Sequence, residues 1–163
     1  MATLATVAGI YLKPQVPGEF GLPKHAVREA EVLASGLRGD FNNYRQEELH
    51  GDPDSAILLM PEEVLSSLRS EGWPVRPGDL GENLLLRGVR YEELAPGHRL
   101  RVGAAVSLTT TRACDPCDRL ATLPYVGKER GPAFVKTMLH RRGWYARVVG
   151  PGPVRVGDPV AFL

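Results

Sequence analysis

The spacing of glycine and proline limits this chain more than any other feature. Eighteen Gly and 14 Pro interrupt its 163 residues, roughly every eight to twelve positions, which is the rhythm of short strands and turns rather than of long helices. Thr3–Leu12 and His25–Ala34 read as strands, separated by a loop holding Pro14, Pro17, Gly18, Gly21 and Pro23. The polar stretch Gly36–Asp54 reads as a loop and Ser55–Met60 as a short apolar strand. Pro61 then opens a helix whose Val64, Leu65 and Leu68 recur at helical spacing before Gly72 ends it. Glu82–Val89, His98–Val102 and Ala105–Thr111 read as strands. A second helical region covers Asp115–Arg142, broken near Pro124 and Gly131, and Gly143–Val149 pairs with Val154–Leu163 around Pro151-Gly152-Pro153. Without regular βαβ alternation, the pattern predicts a mainly β fold, a β-barrel-like core with peripheral helices. It fits a single domain, 1–163, large enough to bury a core unaided by disulfides.

Apolar stretches break within about ten residues, short of the roughly twenty that span a bilayer, and no basic-then-apolar leader opens the chain. A cytoplasmic protein without membrane contact is expected. Net charge is +1, which gives no reason to expect nucleic acid. The charge is unevenly placed, however. From Arg112 to Arg147 there are eight Lys or Arg against three Asp or Glu, a local excess that suits a small anionic ligand or, more plainly, a solvated helical face.

Chemistry concentrates at Cys114-Asp115-Pro116-Cys117, which holds both cysteines. Asp115 as N-cap and Pro116 at the first helical position predict a helix start with Cys117 in its first turn. There the helix dipole, Arg112 and Arg119 favour a thiolate, while Asp118 opposes it. The alternative is a buried, inert thiol. Structural zinc wants four ligands, and His25, His50, His98 and His140 are scattered without paired spacing. Gly81-Glu82-Asn83 permits close backbone approach to a ligand, with Asn83 offering donor and acceptor; the same residues serve equally as turn residues. Lys24, Arg45, Arg112, Arg130 and Arg147 are candidate partners for a phosphate or substrate anion, Lys24 and Arg112 foremost. Trp144 and Tyr145 open a terminal strand, where core packing is the default for aromatics, and His25 reads as an ordinary strand histidine.

Gly78-Asp79-Leu80-Gly81-Glu82-Asn83-Leu84, Leu100-Arg101-Val102-Gly103, the Thr-rich strand into Cys117, Gly143-Trp144-Tyr145-Ala146-Arg147-Val148 and Val156-Gly157-Asp158-Pro159-Val160 follow one another in order. Together with Pro23-Lys24 and Gly36-Leu37-Arg38-Gly39-Asp40, this series resembles the MOSC domain family, named for the carboxy-terminal domain of molybdenum cofactor sulfurases. The resemblance implies a strand-rich barrel-like fold, molybdopterin-type cofactor chemistry and one functional cysteine, which falls on Cys117. In relatives that reduce N-hydroxylated compounds the equivalent cysteine ligates molybdenum; in sulfurase-type members it is proposed to carry sulfur as a persulfide. Lys24, Arg45, Glu82, Asn83 and Arg112 are then expected at an anionic pterin cofactor, with Cys117 as metal ligand and catalytic residue. A non-catalytic pterin or anion-binding module is a third reading. With no flavin or iron–sulfur motif, a reductase of this kind needs an external electron donor, and a sulfur carrier needs a sulfur donor protein; a homodimer is compatible with either. Two departures stand out. Phe41-Asn42 occupies the place where members often show Arg-His, so a cationic contact is missing unless Arg45 replaces it, and Cys114 is an additional thiol that leaves a redox pair open.

Overall fold

A computed structural model describes residues 4–42 and 44–163. Among these residues eleven strands form two sheets, and two helices cover one face of the larger. In chain order the strands are β1 (Thr6–Leu12), β2 (His25–Val27), β3 (Glu29–Leu33), β4 (Gly36–Leu37), β5 (Ile57–Pro61), β6 (Leu84–Arg87), β7 (Arg99–Val102), β8 (Val106–Ala113), β9 (Trp144–Gly150), β10 (Gly152–Arg155) and β11 (Val160–Phe162). The helices are α1 (Glu62–Ser70) and α2 (Gly127–Thr137). The large sheet runs β11-β7-β8-β9-β5-β6-β1-β2, and the small one β10-β3-β4. Among the described residues only β5 and β6 pair in parallel.

The mainly β reading holds, with the barrel understood loosely. The large sheet is open in its strand order, and among the described residues no continuous ladder joins its far strands. Instead β1 meets the approach to β11 through single bonds: Val7 N donates to Asp158 O (2.9 Å), Gly157 N to Val7 O (2.8 Å) and Val160 N to Ala5 O (2.8 Å).

Strand β5 explains the layering. All five of its residues are buried, as a centrally placed strand covered on both faces must be. Ile57 and Leu59 point into the main core with Ile10, Leu84, Leu100, Leu108 and Ala146, which the small sheet closes through Val32, Leu37 and Val154. On the opposite face Met60 joins the helical layer of Leu65, Leu68, Leu120, Phe134 and Met138. Leu58, also on that face, packs with Cys114 and Tyr145.

The expected helix over Pro61–Gly72 is observed as α1, burying Val64, Leu65 and Leu68. Elsewhere tertiary context redirects the sequence pattern. The expected strand His25–Ala34 breaks at Arg28 into β2 and β3, which serve different sheets. The expected loop Gly36–Asp54 contains β4, a π-helical turn at Tyr44–Glu48 and a 3-10 turn at Pro53–Ser55. The two terminal strands do not pair with each other: β9 lies between β8 and β5, β10 joins β3, and β11 joins β7. Helix α2 runs through Gly131 and Pro132, because a proline there removes one intrahelical bond while the helix buries Phe134 against Trp73, ring centroids 4.6 Å apart. Burial of such a side chain contributes about 2–3 kcal/mol.

Candidate functional site

One row of side chains crosses the large sheet and sets the site. In the β8–β9 ladder Thr110 pairs with Ala146, but the next pair is Arg112 with Tyr145, so Thr111 is an extra residue on β8. Side chains alternate along a strand, and a bulge of one residue reverses which face the following ones take. Val106, Leu108 and Thr110 are buried on the core side of β8. Past the bulge, Arg112 lies beside Tyr145, and Tyr145 beside Leu58 on β5. Cys114, two residues on, packs on the same face with Leu58 and Tyr145.

An open cavity lies over this row. Its walls include Cys114, Cys117, Arg112, Tyr145, Phe41 and Arg142, with Gly21, Leu22 and Phe20 from the loop after β1 closing one side. Lys24 and Arg119 also reach it, and among the described residues Asp115 is the one acidic residue in its lining. The cavity is therefore cationic, and complementary to a small anion.

Arg142 is the residue the sequence reasoning missed. The chain leaving α2 turns at His140 (φ 62°) and Gly143 (φ 100°). A Cβ on Gly143 would stand 2.5 Å from Leu59 O, so only glycine lets the chain enter β9 here. Tyr91 fixes this corner, its hydroxyl 3.2 Å from both the N and the O of Gly143. Arg141 turns outward to Glu71, and Arg142 turns inward, where it is 7% exposed. Its Nε donates to Leu80 O (3.1 Å), and Nη1 to Asp115 O (3.5 Å) and Cys117 Sγ (3.6 Å). No carboxylate pairs with it among the described residues. Burial opposes its charge, but Cys114, Cys117 and Tyr145 outweigh that and raise its pKa. A buried guanidinium answered by sulfur and carbonyls is complementary to negative charge on Cys117. In sequence Arg142 was one of eight basic residues in its segment, with no spacing to single it out.

The local reading around the cysteines needs correction. Asp115, Pro116 and Cys117 are not helical; Cys117 precedes a single 3-10 turn, Asp118–Thr122, at φ −136° and ψ 170°. A five-residue 3-10 turn holds no helix dipole of consequence, and Arg142 supplies the positive charge in its place. Cys117 is half-buried, whereas Cys114 is 6% exposed. Burial pushes the Cys114 thiol up, only partly offset by Arg142 and by Tyr145, whose Oη lies 3.5 Å from Cys114 Sγ.

The other expected ligands divide. Arg112 stands at the rim, its guanidinium 5.4 Å from the centroid of Tyr145, with Asp52 Oδ2 at 3.3 Å and Ser55 Oγ beside it. Lys24 reaches the cavity wall, but its Nζ is 2.5 Å from Asp40 Oδ1 and both side chains are buried; its charge is already matched. Arg45 lies behind the wall. Its Nη1 donates to Ala56 O (3.2 Å), and its Nε is buried without a hydrogen-bond partner among the described residues, so it does not replace the missing cation at Phe41. Glu82 and Asn83 support the site from beneath. Asn83 Oδ1 accepts from Leu58 N (3.0 Å), and Nδ2 donates to Tyr11 O (3.2 Å) and Asp40 Oδ2 (2.9 Å). Every polar atom of that amide is engaged by the chain itself. Glu82 Oε1 accepts from Gly78 N, while Oε2 is buried without a partner; burial first, then Asp79, raises its carboxyl to about 7. Arg130 stacks over Trp73 (4.3 Å) and Arg147 pairs with Asp54 (2.6 Å), both outside the cavity. Trp144 donates to Tyr91 O (2.9 Å), and His25 is exposed.

The MOSC domain model matches residues 46–161. The chain belongs to the MOSC domain family. This membership is consistent with a role associated with the molybdenum cofactor. Among solved structures, the fold is similar to YuaD from Bacillus subtilis, at 20% identity and a TM-score of 0.78 over 97% of this chain and 94% of that one. It is also similar to YiiM from Geobacillus stearothermophilus (23%, 0.72, covering 98% and 75%) and to YiiM from Escherichia coli (21%, 0.64, covering 96% and 69%). No curated protein matches the sequence. Among the described residues, no helix is long and apolar enough to cross a membrane, and no group of three or more His, Cys, Asp or Glu is placed to hold a metal ion.

Lys24→Met leaves the Asp40 carboxylate buried without its cation, and should destabilise the fold by about 3 kcal/mol, with Asp40→Asn added to it recovering part of the loss. Urea midpoints measure both, and an unchanged Lys24→Met midpoint would contradict the buried pair. Glu82 gives a pH signature. The folded chain keeps its proton up to about pH 7, the unfolded chain only to about 4.3, so stability falls as pH rises through that window and is level above it. Between about pH 5 and 8, wild type should lose about 3 kcal/mol more than Glu82→Gln; parallel curves would show that the carboxyl is not held neutral.

Proposed function

We propose that the cavity binds an anionic pterin-type molybdenum cofactor with Cys117 as the protein's metal ligand, and that the protein is a reductase of N-hydroxylated compounds. The observation that supports this reading is the buried Arg142 guanidinium directed at Cys117 Sγ and paired with no carboxylate among the described residues. It sets a fixed positive charge beside the sulfur that would ligate a soft metal. One thiolate suits a metal that arrives with most of its coordination already filled, as it does on a pterin dithiolene. Arg112 at the rim and Arg142 in the wall offer N–H groups to the anionic parts of such a ligand, and Phe41, Leu22 and Phe20 provide apolar surface beside them. When bound, the cofactor supplies the redox chemistry; electrons come from a separate partner protein. The chain's own residues bind and orient the ligand, restrict water around Cys117 and hold positive charge near the reacting end of the substrate.

The test uses protein made in a host that synthesises the cofactor. Wild type should contain molybdenum by elemental analysis and release a fluorescent oxidised pterin. Arg112→Ala should weaken retention by about 1–3 kcal/mol, the scale of a charge-assisted hydrogen bond. Cys117→Ser should keep pterin while losing reduction of a hydroxylamine substrate. Wild type that holds neither molybdenum nor pterin when cofactor is ample would overturn the proposal, and a sulfane sulfur on Cys117 in its place would favour sulfur carriage.

A further inference from the structure

The cavity contains a second thiol for which the cofactor has no use. Cys114 and Cys117 line the same cavity and share neighbours. Asp115 O is 3.7 Å from Cys114 Sγ and 3.5 Å from Arg142 Nη1, which is itself 3.6 Å from Cys117 Sγ. Their environments differ in the way that separates an attacking thiol from a reserve one. Cys117 is half-buried with a guanidinium beside it, while Cys114 is buried against Leu58 and the Tyr145 hydroxyl. Two residues, Asp115 and Pro116, separate them. Among the described residues the N–H groups of Asp115 and Cys117 make no backbone hydrogen bond, whereas Cys114 N is fixed to Gly143 O (2.9 Å). Cys114 is thus the anchored thiol, and a disulfide requires the Cα atoms of the pair within about 7 Å, a span that two intervening residues can bridge.

We propose that Cys114 is the resolving thiol for Cys117, so that a hydroperoxide reaching the cavity closes an internal Cys114–Cys117 disulfide that a dithiol reopens. The Cys117 thiolate attacks one peroxide oxygen, breaking the O–O bond; Cys117 becomes a sulfenic acid, and the other oxygen leaves as an alkoxide that takes a proton to become the alcohol. Cys114 sulfur then attacks Cys117 Sγ, forming the S–S bond and expelling hydroxide, which leaves as water with the Cys114 thiol proton. Two thiols are oxidised and one hydroperoxide is reduced to an alcohol and water. The internal disulfide halts Cys117 before the sulfinic stage, which ordinary dithiols do not reverse. The proposal needs only the two thiols and Arg142, and stands or falls independently of the cofactor.

Hydrogen peroxide is the probe. Cleavage after Arg112 and Arg119 places both cysteines in one peptide, Ala113–Arg119, whose mass reports every state. Treated wild type should yield that peptide with two hydrogens lost, restored by dithiothreitol. Cys114→Ser should instead gain two oxygens at Cys117, with the sulfinic product increased about tenfold over wild type and not restored. Cys114→Ala, with circular dichroism matching wild type, supplies the same comparison should the serine variant fold poorly. Equal sulfinic acid in wild type and variants, or disulfides formed only between molecules, would overturn the proposal.

Discussion

The site rests on the buried amide of Asn83. Its side chain bonds β5 at Leu58 and β1 at Tyr11, and reaches Asp40 in the segment after β4, while its backbone joins the same two strands through Leu58 O and Tyr11 N. Asp40 in turn receives Lys24 Nζ and Lys13 N. Buried polar groups cost free energy unless all their hydrogen bonds are made, so this chain of partners has few alternative arrangements. It fixes Leu58, and through Leu58 the row of Tyr145 and Arg112 across the sheet. The loops that wall the cavity are thus tied to the most buried strand of the molecule.

Much of the fold could be read from local pattern. The 3.6-residue spacing of Val64, Leu65 and Leu68 and the apolar run of β5 belong to elements whose burial is decided by their own sequence. Pairing partners were less legible, because β9 and β10 are neighbours in sequence and yet belong to different sheets; no local signal distinguishes a hairpin from a crossing of that length. Pro132 illustrates the limit from the other side. A residue that usually ends a helix is tolerated where Val126 before it and Phe134 and Met138 after it are buried in one core cluster.

The family was legible in the ordered series of motifs, whereas the electrostatics of the candidate site were not. Cys117, Lys24 and Arg112 reach one cavity, but sequence cannot show that Asp40 matches the charge of Lys24 or that Asn83 spends its amide on the backbone. Nor can it show the extra residue at Thr111, which turns Arg112 and Cys114 from the core face to the cavity face. Asp-Pro ahead of a cysteine is a sound helix-start signal, yet only a 3-10 turn forms here, and the cation beside the thiol arrives from twenty-five residues away in Arg142.

Arg142, lying against Cys117 Sγ, is proposed to make Cys117, and not Cys114, the working thiol. Alkylation by iodoacetamide measures this within one molecule, because both cysteines lie in the peptide Ala113–Arg119 and fragment masses separate them. In native wild type Cys117 should react first by a wide margin, and Arg142→Met should slow Cys117 while leaving Cys114 slow. Faster labelling of Cys114, or a Cys117 rate untouched by Arg142→Met in a variant that remains folded, would contradict it.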